Sequence, residues 1–168
     1  MRAAGRLARF LPVAFASPDD AEARRECLLG SLEAGIAFTN SSVALVHGMA
    51  RPLGAKFGIP HGVSNAVLLE AIMRFSLPGA PERYARLAEA MGAVPAGTPL
   101  EPARAGFGIV SRLVRELHIP RLGDLLSREA LDAQLDAMVR EAVASGSPAN
   151  NPRQASPEEI ASLYGEAF

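Results

Sequence analysis

The 168-residue chain has no tryptophan, one cysteine, and aromatic residues at only 5% of its positions. With so few aromatic side chains, a surface that stacks nucleobases is not expected. The single cysteine, Cys27, cannot form an internal disulfide and fits a reducing compartment, so we expect a cytoplasmic protein. The 17 basic and 18 acidic residues give a net charge of −1, which argues against nucleic acid as a partner.

Long hydrophobic runs are also missing, since no apolar run reaches the roughly 18 residues that a membrane span requires. The first residues, MRAAGRLARFLPVAFAS, imitate a weak signal or transit peptide, with arginines before a short apolar run. Pro12 interrupts that run, which favours an ordinary helix from Arg2 to Phe10 that stops before the proline. We therefore expect neither a cleaved leader nor a membrane partner.

Signals for helices fill the rest of the chain. Residues 17–20 (SPDD) and 156–159 (SPEE) each combine a hydroxyl cap, a proline in the first turn and acidic residues at the positive end of the helix dipole. Apolar residues recur at helical spacing in three stripes: Leu28, Leu29, Leu32 and Ile36; Ile109, Leu113, Val114 and Leu117; Leu131, Leu135, Met138 and Val139. No strand alternation is present. The sequence predicts a single all-α domain over residues 1–168.

Two of the three histidines lie in the segment VHGMARPLGAKFGIPHG, and each is followed by glycine. In one straight helix, His47 and His61 would be about 21 Å apart, too far to share an ion that binds imidazole at about 2.0–2.1 Å. Gly58 and Pro60 offer a turn between them, which would put one histidine late in a helix and the other at the start of the next. Spacing alone leaves open a metal site or two ordinary hydrogen-bonded histidines, because no third ligand is evident nearby.

The segment GIAFTNSSVALVHGMARPLGAKFGIPHGVSNAVLL resembles the signature of the iron-containing (group III) alcohol dehydrogenase family. The residues before it, and the end of the chain from SGSPANNPRQAS onward, resemble the same family, so the likeness extends over essentially the whole chain. It implies a helical bundle like the C-terminal domain of the dehydroquinate synthase-like fold. It also matches the start of this chain to an interior helix of the family.

The resemblance implies a divided metal site. In the family, an N-terminal α/β domain binds NAD or NADP, and a C-terminal helical domain holds one divalent metal, Fe²⁺ or in some members Zn²⁺. Four side chains bind that metal: an Asp and a His four residues later, then the two histidines of the signature. The match implies that His47 and His61 are the last two ligands. It also implies that the first two would precede Met1 and that the nucleotide-binding domain is absent from this chain.

Three further residues acquire roles from the resemblance. Arg51 stands where the family often has a histidine close to the nicotinamide, and we assign it as catalytic; arginine stays protonated, so it suits a substrate carboxylate better than a proton relay. Phe38 and Asn151 are assigned to cofactor binding, because they match a pocket-lining aromatic and an element that approaches the active site. A place in the helix core would account for Phe38 equally well, and a plain turn for Asn151.

The resulting hypothesis is an oxidoreductase, the C-terminal part of a metal-dependent, NAD(P)-linked dehydrogenase. Its substrate would be a small alcohol, aldehyde or hydroxyacid, and it would act with its missing N-terminal domain or another subunit, as a homo-oligomer. The alternative is a non-catalytic truncated module or dimerisation fragment derived from such an enzyme.

Overall fold

The computed structural model describes residues 1–168, which form eight α-helices, three short 3₁₀ turns and no β-strand. The helices are α1 Arg2–Ala16, α2 Ala21–Ser41, α3 Leu45–Phe57, α4 His61–Ser76, α5 Pro81–Ala90, α6 Leu100–Glu116, α7 Arg128–Ala144 and α8 Pro157–Ala167. The predicted all-α class is therefore confirmed. The chain forms two compact units, residues 1–41 with 77–118, and residues 42–76 with 119–168. A single domain over residues 1–168 stays a prediction.

In the first unit, glycines let the helices approach each other closely. A Cβ placed on Gly106 of α6 would lie 2.6 Å from the Cβ of Ala88 on α5, and one on Gly30 of α2 would lie 3.1 Å from Cγ of Leu7 on α1. Because no side chain larger than hydrogen fits at the first of these positions, the backbone of α6 at Gly106 packs directly on Ala88 of α5.

Helix α1 corrects the prediction that a helix stops at Phe10, since it continues through Pro12 to Ala16. A proline inside a helix removes one backbone hydrogen bond and costs roughly 3 kcal/mol. Packing against α2 offsets that cost, and Arg6 of α1 forms ion pairs with Glu26 and Glu33 of α2. The next helix begins later than the 17–20 pattern suggests, because Asp20 is its cap: Oδ1 of Asp20 accepts the N–H of Ala23 at 2.9 Å.

Helix α2 exposes the apolar stripe that the sequence suggested as a core face. Leu28, Leu32 and Ile36 are 72%, 60% and 58% exposed, whereas the buried residues of α2 are Ala23 and Gly30. Small residues therefore face the rest of the unit and large ones face outward, because close approach to α1 leaves no room for a leucine. No single helix has the length and apolar composition to cross a membrane; only α2 and α3 taken together meet that criterion.

The second unit has a continuous apolar core built from four helices and one 3₁₀ turn. Its fully buried large side chains are Leu45, Met49 and Leu53 of α3, Leu68 of α4, Leu122 of the 3₁₀ turn Leu122–Asp124, Leu131 and Met138 of α7, and Ile160, Leu163 and Tyr164 of α8. The start of α8 predicted at Ser156 is confirmed, because its hydroxyl accepts the N–H of Glu159 at 3.2 Å. Ser127 caps α7 in the same way and accepts the N–H of Ala130 at 3.2 Å. These caps satisfy backbone donors at the first helical turn.

A buried hydroxyl joins α8 to α3. The side chain of Tyr164 is completely buried, and its hydroxyl donates a hydrogen bond of 2.6 Å to the carbonyl oxygen of Met49. Burial, and secondarily the negative charge of Glu141, raise the pKa of Tyr164 well above its ordinary value. Because Met49 lies between His47 and Arg51 on α3, this bond fixes the helix segment that carries both residues.

Substitution Tyr164→Phe is expected to lower the free energy of unfolding by about 1–2 kcal/mol, because the hydrogen bond is lost in the core. Since the pKa of Tyr164 is higher in the folded state than in the unfolded state, its contribution is complete below about pH 10 and is lost as the pH rises further. Urea unfolding between pH 7 and 11 should show a steeper alkaline loss for the unsubstituted chain than for the Phe variant. Parallel alkaline profiles would contradict this assignment.

Candidate metal centre

The turn between α3 and α4 reverses the chain, as predicted. Gly58 ends α3 in the left-handed conformation (φ 68°), and its N–H donates to the carbonyl of Gly54 at 3.1 Å. Pro60 then leads directly into α4, which begins at His61. The hydroxyl of the buried Ser64 donates to the carbonyl of Ile59 at 3.1 Å and holds the turn closed. Glycine adopts the left-handed conformation at little energetic cost, which explains why Gly58 occupies this position.

The turn brings the two histidine rings together. The centroids of the His47 and His61 imidazoles are 5.4 Å apart, and the ring planes are inclined by 52°. Since metal–imidazole bonds are about 2.0–2.1 Å long, two rings at this separation are near enough to share one ion. The predicted convergence of the rings is therefore present in the structure.

The helix position of His47 differs from the prediction, since it lies in the first turn of α3 and not late in a helix. Helix α2 ends at Ser41, Ser42 adopts a positive φ of 64°, and the new helix begins at Leu45. The prediction was wrong because no glycine or proline marks this break in the sequence.

The surroundings of His47 favour its neutral form. Burial is the main reason that the pKa of His47 is lowered, and electrostatic interactions with His61 and with the guanidinium of Arg51 lower it further. Neutral imidazole is the form that binds a divalent metal, because its free ring nitrogen carries the lone pair. The electrostatics at His47 therefore suit metal binding.

The chain supplies only part of a complete coordination sphere. No group of three or more His, Cys, Asp or Glu side chains is placed to hold one ion. Catalytic zinc sites use three protein ligands, and imidazole also suits iron. His47 and His61 thus fit a divalent transition metal in their chemistry, but two imidazoles by themselves do not complete such a site.

Asn65 touches His61 and was not identified from the sequence. It lies one turn further along α4, and its Nδ2 donates to the carbonyl of His61 at 2.8 Å. The same nitrogen lies 3.2 Å from Nε2 and 3.4 Å from Nδ1 of the imidazole. The spacing of four residues could have revealed this contact, because such residues share one face of a helix.

Arg51 lies one turn after His47 on α3, so the structure places it beside the histidine pair. Its side chain is exposed, and Nη1 lies 3.4 Å from the hydroxyl of Ser147. Ser147 belongs to the 3₁₀ turn Ser147–Asn150, and sequence analysis had not singled it out. A cation held in this position can attract an anionic group next to the histidines, but it cannot serve as a proton acceptor.

The two residues assigned to cofactor binding have different surroundings. Asn151 is buried, and its Nδ2 donates to the hydroxyl of Ser76 at 2.9 Å and to the carbonyl of Arg153 at 2.8 Å. It therefore braces the loop that precedes α8. Phe38 belongs to α2 in the first unit and is 51% exposed, so it is not a core residue. The cofactor role of each stays a prediction.

Comparison with known proteins identifies the family. The profile of the Fe-containing alcohol dehydrogenase family, C-terminal, matches residues 1–168. The chain is 37% identical over 170 residues to 1,3-propanediol dehydrogenase from Klebsiella pneumoniae, covering 100% of this chain and 43% of that protein. It is 40% identical over 152 residues to lactaldehyde reductase from Escherichia coli, covering 89% and 39%.

A solved structure shows the same fold. The crystal structure of a 1,3-propanediol oxidoreductase matches with a TM-score of 0.93 at 36% sequence identity, over 100% of this chain and 44% of that one. The all-helical fold of this chain is therefore that of the C-terminal domain of an oxidoreductase. The chain belongs to the Fe-containing alcohol dehydrogenase family. It spans less than half the length of the curated relatives it matches.

Proposed function

We propose that residues 1–168 act as the metal-binding part of an NAD(P)-linked dehydrogenase, which oxidises a small alcohol or hydroxyacid or reduces the corresponding aldehyde or ketone. The observation that carries the proposal is the approach of the His47 and His61 rings across the α3–α4 turn. The names of the relatives, a propanediol dehydrogenase and a lactaldehyde reductase, support small polar alcohols and aldehydes as substrates.

In this proposal His47 and His61 hold one divalent ion, and the remaining ligands come from polypeptide outside residues 1–168. Fe²⁺ is the first choice because the family is described as iron-containing, and Zn²⁺ is a second ion that an imidazole pair suits. When bound, the metal would polarise the substrate oxygen while nicotinamide, NAD or NADP, exchanges hydride with the substrate carbon. His47 contributes a neutral ligand because burial lowers its pKa.

Arg51 is proposed to bind the substrate end that carries negative charge. Its guanidinium is exposed one turn from His47, and a charge-assisted pair with a carboxylate would orient a hydroxyacid against the metal site. Phe38 and Asn151 are the proposed cofactor contacts. The ring of Phe38 is half exposed and hence accessible, whereas Asn151 would act through the loop that its amide braces.

The exposed apolar stripe of α2 is evidence that another polypeptide covers this helix face. Leu28, Leu32 and Ile36 are all more than half exposed on one helix, and contiguous apolar surface of this kind marks an interaction site. We propose that the N-terminal part of the enzyme, or another subunit of a homo-oligomer, packs there, and that residues 1–168 act as one metal-binding domain in the cytoplasm.

Titration with Co²⁺, a spectroscopic substitute for Fe²⁺ and Zn²⁺, tests the proposed half-site. The chain is expected to bind one Co²⁺ with low affinity, and replacing both His47 and His61 by alanine should weaken that binding at least tenfold. Substitution His118→Ala is the matched control, because the third histidine lies outside the α3–α4 turn and should not matter. Equal affinity in the double variant and the unsubstituted chain would overturn the proposal.

The non-catalytic helical module is the second candidate, and the missing third ligand favours it. The DNA upstream of the codon for Met1 separates the two. A continuation that encodes Asp-x-x-x-His and a glycine-rich turn, in frame or after a frameshift, supports the enzyme. A promoter directly upstream supports the module.

A further inference from the structure

The turn Ser147–Asn150 packs on the first half of α3. A Cβ placed on Gly48 of α3 would lie only 3.1 Å from Cδ of Pro148, so this proline rests directly on the helix backbone. At the other end of the turn, Nδ2 of Asn150 donates to the carbonyl oxygen of Val43 at 2.9 Å. These two contacts fix the turn against α3 and against the residues just before it.

The turn holds the hydroxyl of Ser147 against the guanidinium of Arg51. Ser147 is only 5% exposed, and its Oγ accepts a hydrogen bond from Nη1 of Arg51 at 3.4 Å. The backbone N–H of Ser147 donates to Oγ of Ser145 at 3.2 Å, which fixes the residue that carries the hydroxyl. A hydroxyl can accept and donate at the same time, and no group of the chain accepts the hydroxyl proton of Ser147.

Arg51 has no acidic partner. Other arginines of the chain form ion pairs with Asp or Glu, whereas Arg51 forms none. A guanidinium is always charged, and its planar fork of N–H donors matches a carboxylate. Arg51 also lies one helical turn after His47, and residues four apart on a helix are neighbours. A cation and a hydroxyl donor are therefore side by side next to the histidine pair.

We propose that Ser147 is a specificity-determining residue, whose hydroxyl joins Arg51 in binding a carboxylate of the substrate. This inference rests on the proposed function and narrows its substrate class to 2-hydroxy acids and the 2-oxo acids formed from them. One carboxylate oxygen accepts from the guanidinium and the other from the Ser147 hydroxyl. Because Arg51 and His47 are neighbours on α3, the carbinol carbon next to that carboxylate faces the histidines. A neutral diol gains no charge-assisted bond here.

Lactate and propane-1,2-diol are the matched probes, because they differ only in a carboxylate that replaces a hydroxymethyl group. Each is titrated into the metal-free chain at constant ionic strength and about pH 8, above the ordinary histidine pKa. Lactate is expected to shift the Arg51 Nε–H signal and the His47 ring signals with one common affinity and to leave His118 unchanged. Propane-1,2-diol is expected to bind at least tenfold more weakly. Equal binding of the two probes would overturn the proposal.

Four variants separate a direct contact from packing and from net charge. Arg51→Gln should weaken lactate binding at least tenfold, and Ser147→Ala about fivefold, because each removes a donor to an anion. Ser147→Thr keeps the hydroxyl and should bind within twofold of the unsubstituted chain. Arg140→Gln removes another exposed arginine of the same unit and should have no effect. A folded Ser147→Ala variant that binds within twofold of the unsubstituted chain, or equal losses in Ser147→Ala and Ser147→Thr, would refute the role of the hydroxyl.

A phosphate of the cofactor is the other anion that a guanidinium and a hydroxyl bind, so inorganic phosphate is titrated in the same way. Phosphate binding tenfold tighter than lactate would assign the pair to a phosphate and overturn the proposal. Because these titrations use no metal, their outcome is separate from that of the metal site. If Co²⁺ binding is indifferent to His47 and His61, the proposed function fails, while lactate still decides whether Arg51 and Ser147 bind a carboxylate. Absence of lactate binding in a chain that binds Co²⁺ through the histidines overturns this inference alone.

Discussion

A polypeptide of residues 1–168, loaded anaerobically with Fe²⁺ and given NAD⁺ or NADP⁺, is expected to show no measurable alcohol dehydrogenase turnover. In the proposed site, the two imidazoles would supply only part of the ligand set and none of the negative charge that offsets the cost of stripping water from a divalent ion. In the relatives, more than half of each chain lies outside the matched region. Without a nucleotide-binding domain, nothing holds nicotinamide against the site, and that proximity is worth about 7–11 kcal/mol, or 10⁵- to 10⁸-fold in rate.

The measurement is the change in absorbance at the reduced-nicotinamide band with short alcohols, diols and hydroxyacids. A full-length iron-containing alcohol dehydrogenase in the same buffer is the positive control. Turnover of about 1 s⁻¹ or more, within the normal range for enzymes, would contradict the prediction. Such a result would mean that the chain completes its site with ligands from a second copy, which a dependence of the rate on the square of the protein concentration would reveal.

Substitution Leu68→Ala is expected to destabilise the second unit by about 2–5 kcal/mol. Leu68 lies on α4, the helix that begins with His61, and its side chain is completely buried in the core. The substitution removes three buried carbon atoms and their packing contacts in the core, and it leaves a cavity that the surrounding helices fill only in part. Urea unfolding followed by far-UV circular dichroism measures the loss.

The neighbouring Leu69 is the matched control, because it is on the same helix but 38% exposed. Leu69→Ala has the same effect on helix propensity and should change stability by only about 0.5 kcal/mol. Equal losses in the two variants would show that the face of α4 has been wrongly assigned. A Leu68 variant as stable as the unsubstituted chain would show that α4 is not anchored through this side chain.

The all-α class, the serine caps of α7 and α8 and the α3–α4 turn could be predicted from the sequence because their causes are local. The hydroxyls of Ser127 and Ser156 each accept a hydrogen bond from the backbone N–H three residues later. Gly58 readily adopts the left-handed conformation that ends α3, and Pro60 disfavours helical geometry at the residue before it. The signature containing His47 and His61 likewise predicted the family, which the profile match confirms. Their roles as ligands, with those of Arg51, Phe38 and Asn151, stay predictions.

Tertiary structure decided the features that depend on residues far apart in the chain. Helix α1 continues through Pro12 because packing against α2 and the ion pairs of Arg6 outweigh the local cost of a proline inside a helix. The sequence shows that cost but not the contacts that offset it. The apolar stripe of α2 looks like a core face, yet close helix packing at Gly30 turns its leucines outward. The bond from Tyr164 to Met49 spans 115 residues, so no local pattern could indicate it. Sequence periodicity determines which residues can share a face of a helix, whereas only the packed chain determines what that face meets.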